Sequence, residues 1–182
     1  MEIRRNLYLN KLISKKDNGL IKIITGIRRC GKSYLLFNLY DQYLKSIGID
    51  ETQIIKISLD GGMNDKLRNP IKLGKFIHKL IKDKSKRYYI FLDEIQNVKP
   101  VTNRYVHGDM ITFIDVLLDL LHENADVYVT GSNSIMLSTD IVTQFRDRGD
   151  EVRVYPLSYK EFCDYKQDIN CWNEYIQFGG LP

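Results

Sequence analysis

Two hydrophobic periods take turns along this chain. Short apolar runs at 20–25, 53–60, 87–94 and 126–130 read as buried strands, and 150–155 alternates at Val152 and Val154 as a fifth. Between them apolar residues recur at spacings of three and four. Leu35, Leu36, Leu39, Tyr40, Tyr43, Leu44 and Ile47 form one helix face; Leu73, Ile77, Leu80 and Ile81 form another. Ile111, Ile114, Leu117, Leu118 and Leu121 form a third, and Ile135, Met136, Ile141, Val142 and Phe145 mark a helical stretch broken near Ser138. Residues 2–16 carry Ile3, Leu7, Leu12 and Ile13 among charges, a short amphipathic helix leading in.

The punctuation agrees. Asp17-Asn18-Gly19 is a turn, and Gly48 stops the first long helix. Asn69 caps the next, with Pro70 at its first position. Residues 97–108 read as a loop, and Asp109 as the cap of the helix that follows. Pro156-Leu157 ends the fifth strand, and Ser158 with Glu161 makes a capping box that opens a helix to about residue 166. A last helix spans about 171–178 before Gly179-Gly180. Strands alternating with helices predict an α/β fold with a parallel, doubly wound five-stranded sheet. Its ligand belongs at the C-terminal ends of the strands.

Three polar motifs fall on that rim. Gly26-Ile27-Arg28-Arg29-Cys30-Gly31-Lys32-Ser33 matches the phosphate-binding P-loop pattern in full, between a strand and a helix as the motif requires. The glycines let the backbone approach a phosphate chain, and loop N–H groups and the helix N-terminus face the anion. Lys32 reaches the β- and γ-phosphates and Ser33 carries Mg²⁺. Gly26, Ile27, Arg28, Arg29, Cys30, Gly31, Lys32, Ser33 and Tyr34 are the candidate nucleotide-binding residues.

The second motif is an apolar strand ending in an acid, which holds a carboxylate rigidly for Mg²⁺. Strands ending at Asp60 and Asp93 both qualify. Asp93 is chosen, because Glu94 follows it and can polarise a water for attack on the γ-phosphate. Asp60 precedes Gly61-Gly62 and reads as a turn residue. Ser33 and Asp93 are thus the candidate metal ligands. Third, Thr130, Ser132 and Asn133 follow the fourth strand. Thr130 and Asn133 are placed to sense the γ-phosphate or orient the water, whereas Ser132 or Asn133 can equally cap the next helix. Arg146 and Arg148 precede the fifth strand. Either can neutralise a transferring phosphoryl group in trans from a neighbouring subunit, and either can be a surface arginine. Arg28 and Arg29 sit where only the backbone is dictated.

Composition narrows the rest. The 182 residues are 43% hydrophobic and 27% charged, as in a globular chain of one domain or one domain and the start of another. A net charge of +4 permits nucleic-acid contact without arguing for it, and the basic residues 82–87 suit a helix C-terminus. Cys30, Cys163 and Cys171 have no metal spacing and suit a reducing compartment. No membrane-length run and no signal-peptide core occurs, so a cytoplasmic location is expected. No Asn-Lys-x-Asp guanine-reading motif occurs.

These blocks resemble, in order, the AAA-type predicted ATPases of bacteria and archaea that carry an uncharacterised C-terminal domain. Residues 24–33, Phe91-Leu92-Asp93-Glu94-Ile95-Gln96 and Val129-Thr130-Gly131-Ser132-Asn133-Ser134 carry the resemblance. So do Arg148, Tyr155-Pro156-Leu157-Ser158-Tyr159-Lys160-Glu161-Phe162 and Gly179-Gly180-Leu181-Pro182. It implies an AAA/ASCE-type P-loop NTPase sheet in which one strand separates the P-loop strand from that of Asp93, with Mg²⁺ and ATP as cofactors and Glu94 as the base. Glu94, Thr130, Asn133 and Arg148 are then the candidate catalytic residues. In such proteins the arginine usually follows a glycine; here Asp147 precedes Arg148, which leaves the choice of arginine open. Family members usually continue past Gly-Gly-Leu-Pro, so the resemblance implies an ATPase core at 1–156 and the helical start of a lid or linker at 157–182. Hydrolysis of Mg-ATP leads. The alternative is a nucleotide-dependent switch or binding module with little intrinsic turnover, acting alone or with nucleic acid; a trans arginine would make the ATPase a homo-oligomer.

Overall fold

The computed structural model describes residues 3–131, 145, 148–168 and 170–181. Helix α1 (Asn6–Ser14) leads into strand β1 (Ile21–Thr25). The P-loop follows, then a helix, α2, built from Lys32–Tyr34, Leu35–Tyr40 and Asp41–Ser46. Strand β2 (Ile54–Ser58), helix α3 (Pro70–Leu80) and strand β3 (Tyr88–Asp93) come next. A small hairpin, β4 (Val101–Thr102) with β5 (Met110–Ile111), precedes α4 (Phe113–Leu120) and β6 (Ala125–Thr130). Strand β7 (Gly149–Arg153) and helices α5 (Tyr159–Lys166) and α6 (Trp172–Phe178) complete the described chain.

The five long strands form one sheet in the order β2-β3-β6-β1-β7, and every pairing is parallel. Strand β6 separates β1 from β3, as the resemblance implies, and β2 is an edge. Side chains alternate across the sheet, so β1, β2, β3 and β6 each feed two cores, while β7 buries only Val152. On one face Ile21, Ile23, Ile90, Leu92, Val127 and Val129 pack with Leu73 and Ile77 of α3 and Leu117 of α4. On the other Ile24, Tyr89, Phe91, Tyr128 and Val152 pack with Leu12 of α1 and Leu36, Leu39, Tyr40 and Leu44 of α2. Burial on both faces explains why the strands read as nearly continuous apolar runs.

Registers Ser58↔Asp93, Leu92↔Val129 and Ile24↔Thr130 bring the C-terminal ends of the strands to one rim. The caps of α3 and α5 form as expected: Asn69 accepts from Lys72 N–H at 3.1 Å, and Ser158 and Glu161 close a capping box. Three features differ from expectation. The stretch expected as a loop holds β4, and its partner β5 takes Met110 and Ile111, so Ile111 pairs with Val101 instead of joining the helix face; two-residue strands are too short to show a period. The cap of α4 is Thr112, in a capping box with Asp115, rather than Asp109. Asp109 instead accepts at the hairpin, its carboxylate taking the side-chain N–H of Asn103 at 2.9 Å. Finally, Leu35–Tyr40 winds as a π-helix. The wider turn sets Leu35, Leu36, Leu39 and Tyr40 all against the sheet, and the Tyr40 hydroxyl meets that of Tyr128 at 2.5 Å. The helical stretch expected over 135–145, with Ser132, Asn133 and Arg146, lies outside the described residues apart from Phe145.

Candidate functional site

The P-loop leaves β1 at Gly26, whose φ is +146°. A Cβ there would stand 2.2 Å from the Val154 carbonyl oxygen and 2.8 Å from Cys30 Sγ, so glycine is required by the close approach of the backbone just after β7 as well as by the turn. Cys30 is wholly buried and its thiol donates to that same carbonyl at 3.4 Å. The crest of the loop uses left-handed backbone at Arg29 (φ 64°) and Gly31 (φ 89°). Lys32 is buried to 4% exposure, and its ammonium donates to the carbonyls of Gly26 at 3.0 Å and Ile27 at 2.8 Å. The Ile27 and Arg28 side chains are exposed.

Asp93 ends β3 and lies 7% exposed beneath the loop. Its Oδ1 accepts from Ser33 Oγ at 2.8 Å and from Thr130 Oγ1. Thr130, fully buried at the end of β6, also accepts the backbone N–H of Glu94 at 3.0 Å. One hydroxyl thus ties the metal-ligand candidate to the base candidate. Glu94 adopts left-handed backbone (φ 55°, ψ 50°), an unfavourable state for a side-chain-bearing residue that its neighbours hold. Gln96 Nε2 donates to the Glu94 carboxylate. A cleft of about 630 Å³ opens over these groups, lined by Ile3, Arg5, Arg29, Gly31, Lys32, Ser33, Tyr34 and Glu94.

Of the sequence-predicted residues, the structure brings together Gly26, Cys30, Gly31, Lys32, Ser33, Asp93, Glu94 and Thr130. Tyr34 joins them on the cleft wall. Asp60 is exposed and binds its neighbour, Gly61 N–H, at 3.1 Å. Arg148 is exposed before the first residue of β7, where Gly149 pairs with Ile21 at the N-terminal end of β1. With a strand rise of about 3.3 Å per residue, that is on the order of 15 Å along the sheet from the P-loop. Arg148 therefore does not belong to the site of its own chain.

Sequence reasoning missed Arg5, Ile3 and Gln96. Arg5 is only 2% exposed. Nη1 donates to the Cys30 carbonyl at 2.9 Å, Nη2 donates to the Tyr155 carbonyl at 2.5 Å, and Nε lies 3.0 Å from Glu161 Oε1. An arginine in a charged lead-in segment gives no local sign of burial. Gln96 carries one weak signal, its place two residues after Glu94.

A family model described as an AAA domain matches residues 18–163. An uncharacterized protein of Haemophilus influenzae is 31% identical over 187 residues, and one of Methanocaldococcus jannaschii is 30% identical over 198 residues. Each alignment covers 99% of this chain, which spans 44% and 38% of those relatives. Among solved structures, a Walker-type ATPase of Pyrococcus abyssi aligns with a TM-score of 0.60 at 16% identity, over 100% of this chain and 65% of that one. A DNA polymerase III gamma subunit-related protein of Thermotoga maritima gives 0.58 at 16% identity, over 95% and 54%. PCH-2 of C. elegans gives 0.56 at 15% identity, over 95% and 44%. These likenesses show the fold of P-loop AAA proteins, and with the match over residues 18–163 the chain belongs to the AAA domain family.

Proposed function

We propose that this domain binds Mg-ATP and hydrolyses it to ADP and phosphate. The observation that carries the reading is the chain of contacts from Ser33 to Asp93 to Thr130 to Glu94 on one rim, under the P-loop. The residues fit the ion. Ser33 Oγ and the Asp93 carboxylate, 2.8 Å apart, are hard oxygen donors of the kind Mg²⁺ takes. When bound, Mg²⁺ neutralises phosphate charge. The cleft is of a size for a nucleotide. The loop amides and Lys32 hold the phosphates, with Lys32 exchanging its carbonyl partners for phosphate oxygens. Glu94 takes the proton of the attacking water, and Gln96 and the Thr130–Glu94 bond hold it in place. Residues 1–156 serve as the ATPase core and 157–182 as the start of a lid, in the cytoplasm.

Phosphate release from Mg-ATP by wild type, Lys32→Ala and Glu94→Gln tests this. Turnover by wild type, loss of binding in Lys32→Ala and binding without turnover in Glu94→Gln support it. Wild type that binds ATP but never turns it over, at any protein concentration, contradicts hydrolysis by this domain. We further propose that Arg148, exposed and on the order of 15 Å along the sheet from its own P-loop, serves the site of a neighbouring copy. Specific activity that rises steeply with protein concentration and falls in Arg148→Ala supports action in trans. Concentration-independent turnover, unchanged in Arg148→Ala, counts against it.

A further inference from the structure

The P-loop is fastened from outside the motif by a residue nothing in the motif predicts. Arg5 sits in the wall of the nucleotide cleft and touches three separate parts of the chain: the Cys30 carbonyl in the loop, the Tyr155 carbonyl beyond β7, and the Glu161 carboxylate in the first turn of α5. Its guanidinium also lies over the Tyr8 ring, 4.6 Å from the centroid, and the Tyr8 hydroxyl accepts the Tyr155 N–H at 3.2 Å. Ile3 packs beside it on the small cluster of Leu157, Phe162 and Cys171 that α5 and α6 share. We propose that Arg5 is a positioning residue that clamps the P-loop to α5, so that the loop's grip on nucleotide depends on the C-terminal helices.

The Cys30–Gly31 bond is trans, so the Cys30 carbonyl and the Gly31 N–H point in opposite directions. Fixing the carbonyl fixes the direction of that N–H, one of the P-loop's phosphate donors. The plane is bounded on one side by Gly31, in left-handed backbone and with no side chain to restrict its rotation. Arg5 holds it with a planar fork that no other side chain reproduces. Glu161 divides its labour. Oε2 accepts from Ser158 N–H at 2.9 Å and Ser158 Oγ at 3.1 Å in the capping box, while Oε1 faces Arg5.

Two variants test the clamp. Arg5→Lys keeps the charge and loses the fork. Glu161→Gln keeps the capping box, which accepts either residue, and removes the ion pair. Cys30 reports on the loop directly, because its thiol is buried at the clamp, whereas Cys171 reports on the C-terminal cluster. Alkylation by iodoacetamide, mapped by mass spectrometry, is followed alongside KM and kcat for Mg-ATP. Loss of one contact of the guanidinium, a hydrogen-bonded fork in one variant and the ion pair in the other, predicts Cys30 alkylation about tenfold faster in both variants. Cys171 alkylates at its wild-type rate. KM rises by about tenfold while kcat changes less than about twofold, as expected when a ground-state grip is lost.

The KM arm rests on the proposed nucleotide site; the alkylation arm does not. If wild type binds no nucleotide yet Cys30 opens in both variants, the clamp stands and the nucleotide reading falls. Cys30 rates equal to wild type in both variants overturn the clamp. Cys171 accelerating in step with Cys30 overturns it too, because the effect is then a general loosening.

Discussion

Thr130→Val is the perturbation that separates this site from an ordinary strand end. Valine keeps the shape and buries as well, but it neither donates to Asp93 nor accepts from Glu94 N–H. A hydrogen bond to a charged group contributes about 1.5–3 kcal/mol, and a buried N–H left unpaired costs about 1–3 kcal/mol. Asp93 keeps its bond from Ser33, which limits the loss. The expected net destabilisation is about 2–4 kcal/mol. Thr130→Ser keeps both bonds and loses one buried methyl, about 1 kcal/mol. Urea unfolding followed by far-UV circular dichroism reads the difference as a midpoint shift at constant slope. Turnover in Thr130→Val falls more than ATP affinity, since Glu94 loses its anchor while the loop does not. Equal urea midpoints for the valine and serine variants refute the reasoning: the hydroxyl would then carry no weight in the folded protein.

Other outcomes follow from the same packing. Gly26→Ala is expected to cost more than about 2 kcal/mol and to abolish nucleotide binding, because the clash is with backbone that must move. Gly48→Ala, also at positive φ but in open space, costs only about 1–2 kcal/mol and leaves binding intact, which thermal melts and calorimetry distinguish. Lys22 and Asp126 form an ion pair buried to 0% and 1% exposure, and burial pulls the Lys22 ammonium below its usual range despite Asp126. Lys22→Met leaves that carboxylate uncompensated and costs about 3–5 kcal/mol in urea unfolding. Burial alone would raise the Asp17 carboxyl, but hydrogen bonds from Lys16 and Arg87 outweigh it and hold it below its ordinary 3.8. As pH falls the unfolded chain takes up this proton first, so the Asp17 contribution is present above that value and lost as pH falls through the folded one. Asp17→Asn therefore flattens the fall of the urea midpoint between about pH 5 and pH 2, and an unchanged profile contradicts the assignment.

Much of this was legible in the chain because the sheet is buried on both faces. Apolar runs such as Tyr88–Asp93 stop where the core stops, and the first polar residue after each run marks the rim. Glycine at 26 and the capping box at Ser158 are local devices with local signatures. Relations across space left no such mark. The β4–β5 hairpin is closed by two-residue strands, and Thr112 outcompeted Asp109 as a cap because Asp115 stands three residues after it. The π-helical turn answers to Tyr128, 88 residues beyond Tyr40. Arg5 reads as a surface charge until the chain folds Tyr155 and Glu161 against it.

Equilibrium binding of ATP in the presence of Mg²⁺, measured by titration calorimetry on wild type and Lys32→Ala, tests the central claim most directly. The account predicts saturable binding by wild type, weakened when Mg²⁺ is chelated, and loss of about 100-fold or more in affinity for Lys32→Ala, since a buried charge-assisted contact to phosphate disappears. Wild type that binds no nucleotide, or a Lys32→Ala protein that is folded and binds as wild type does, contradicts it.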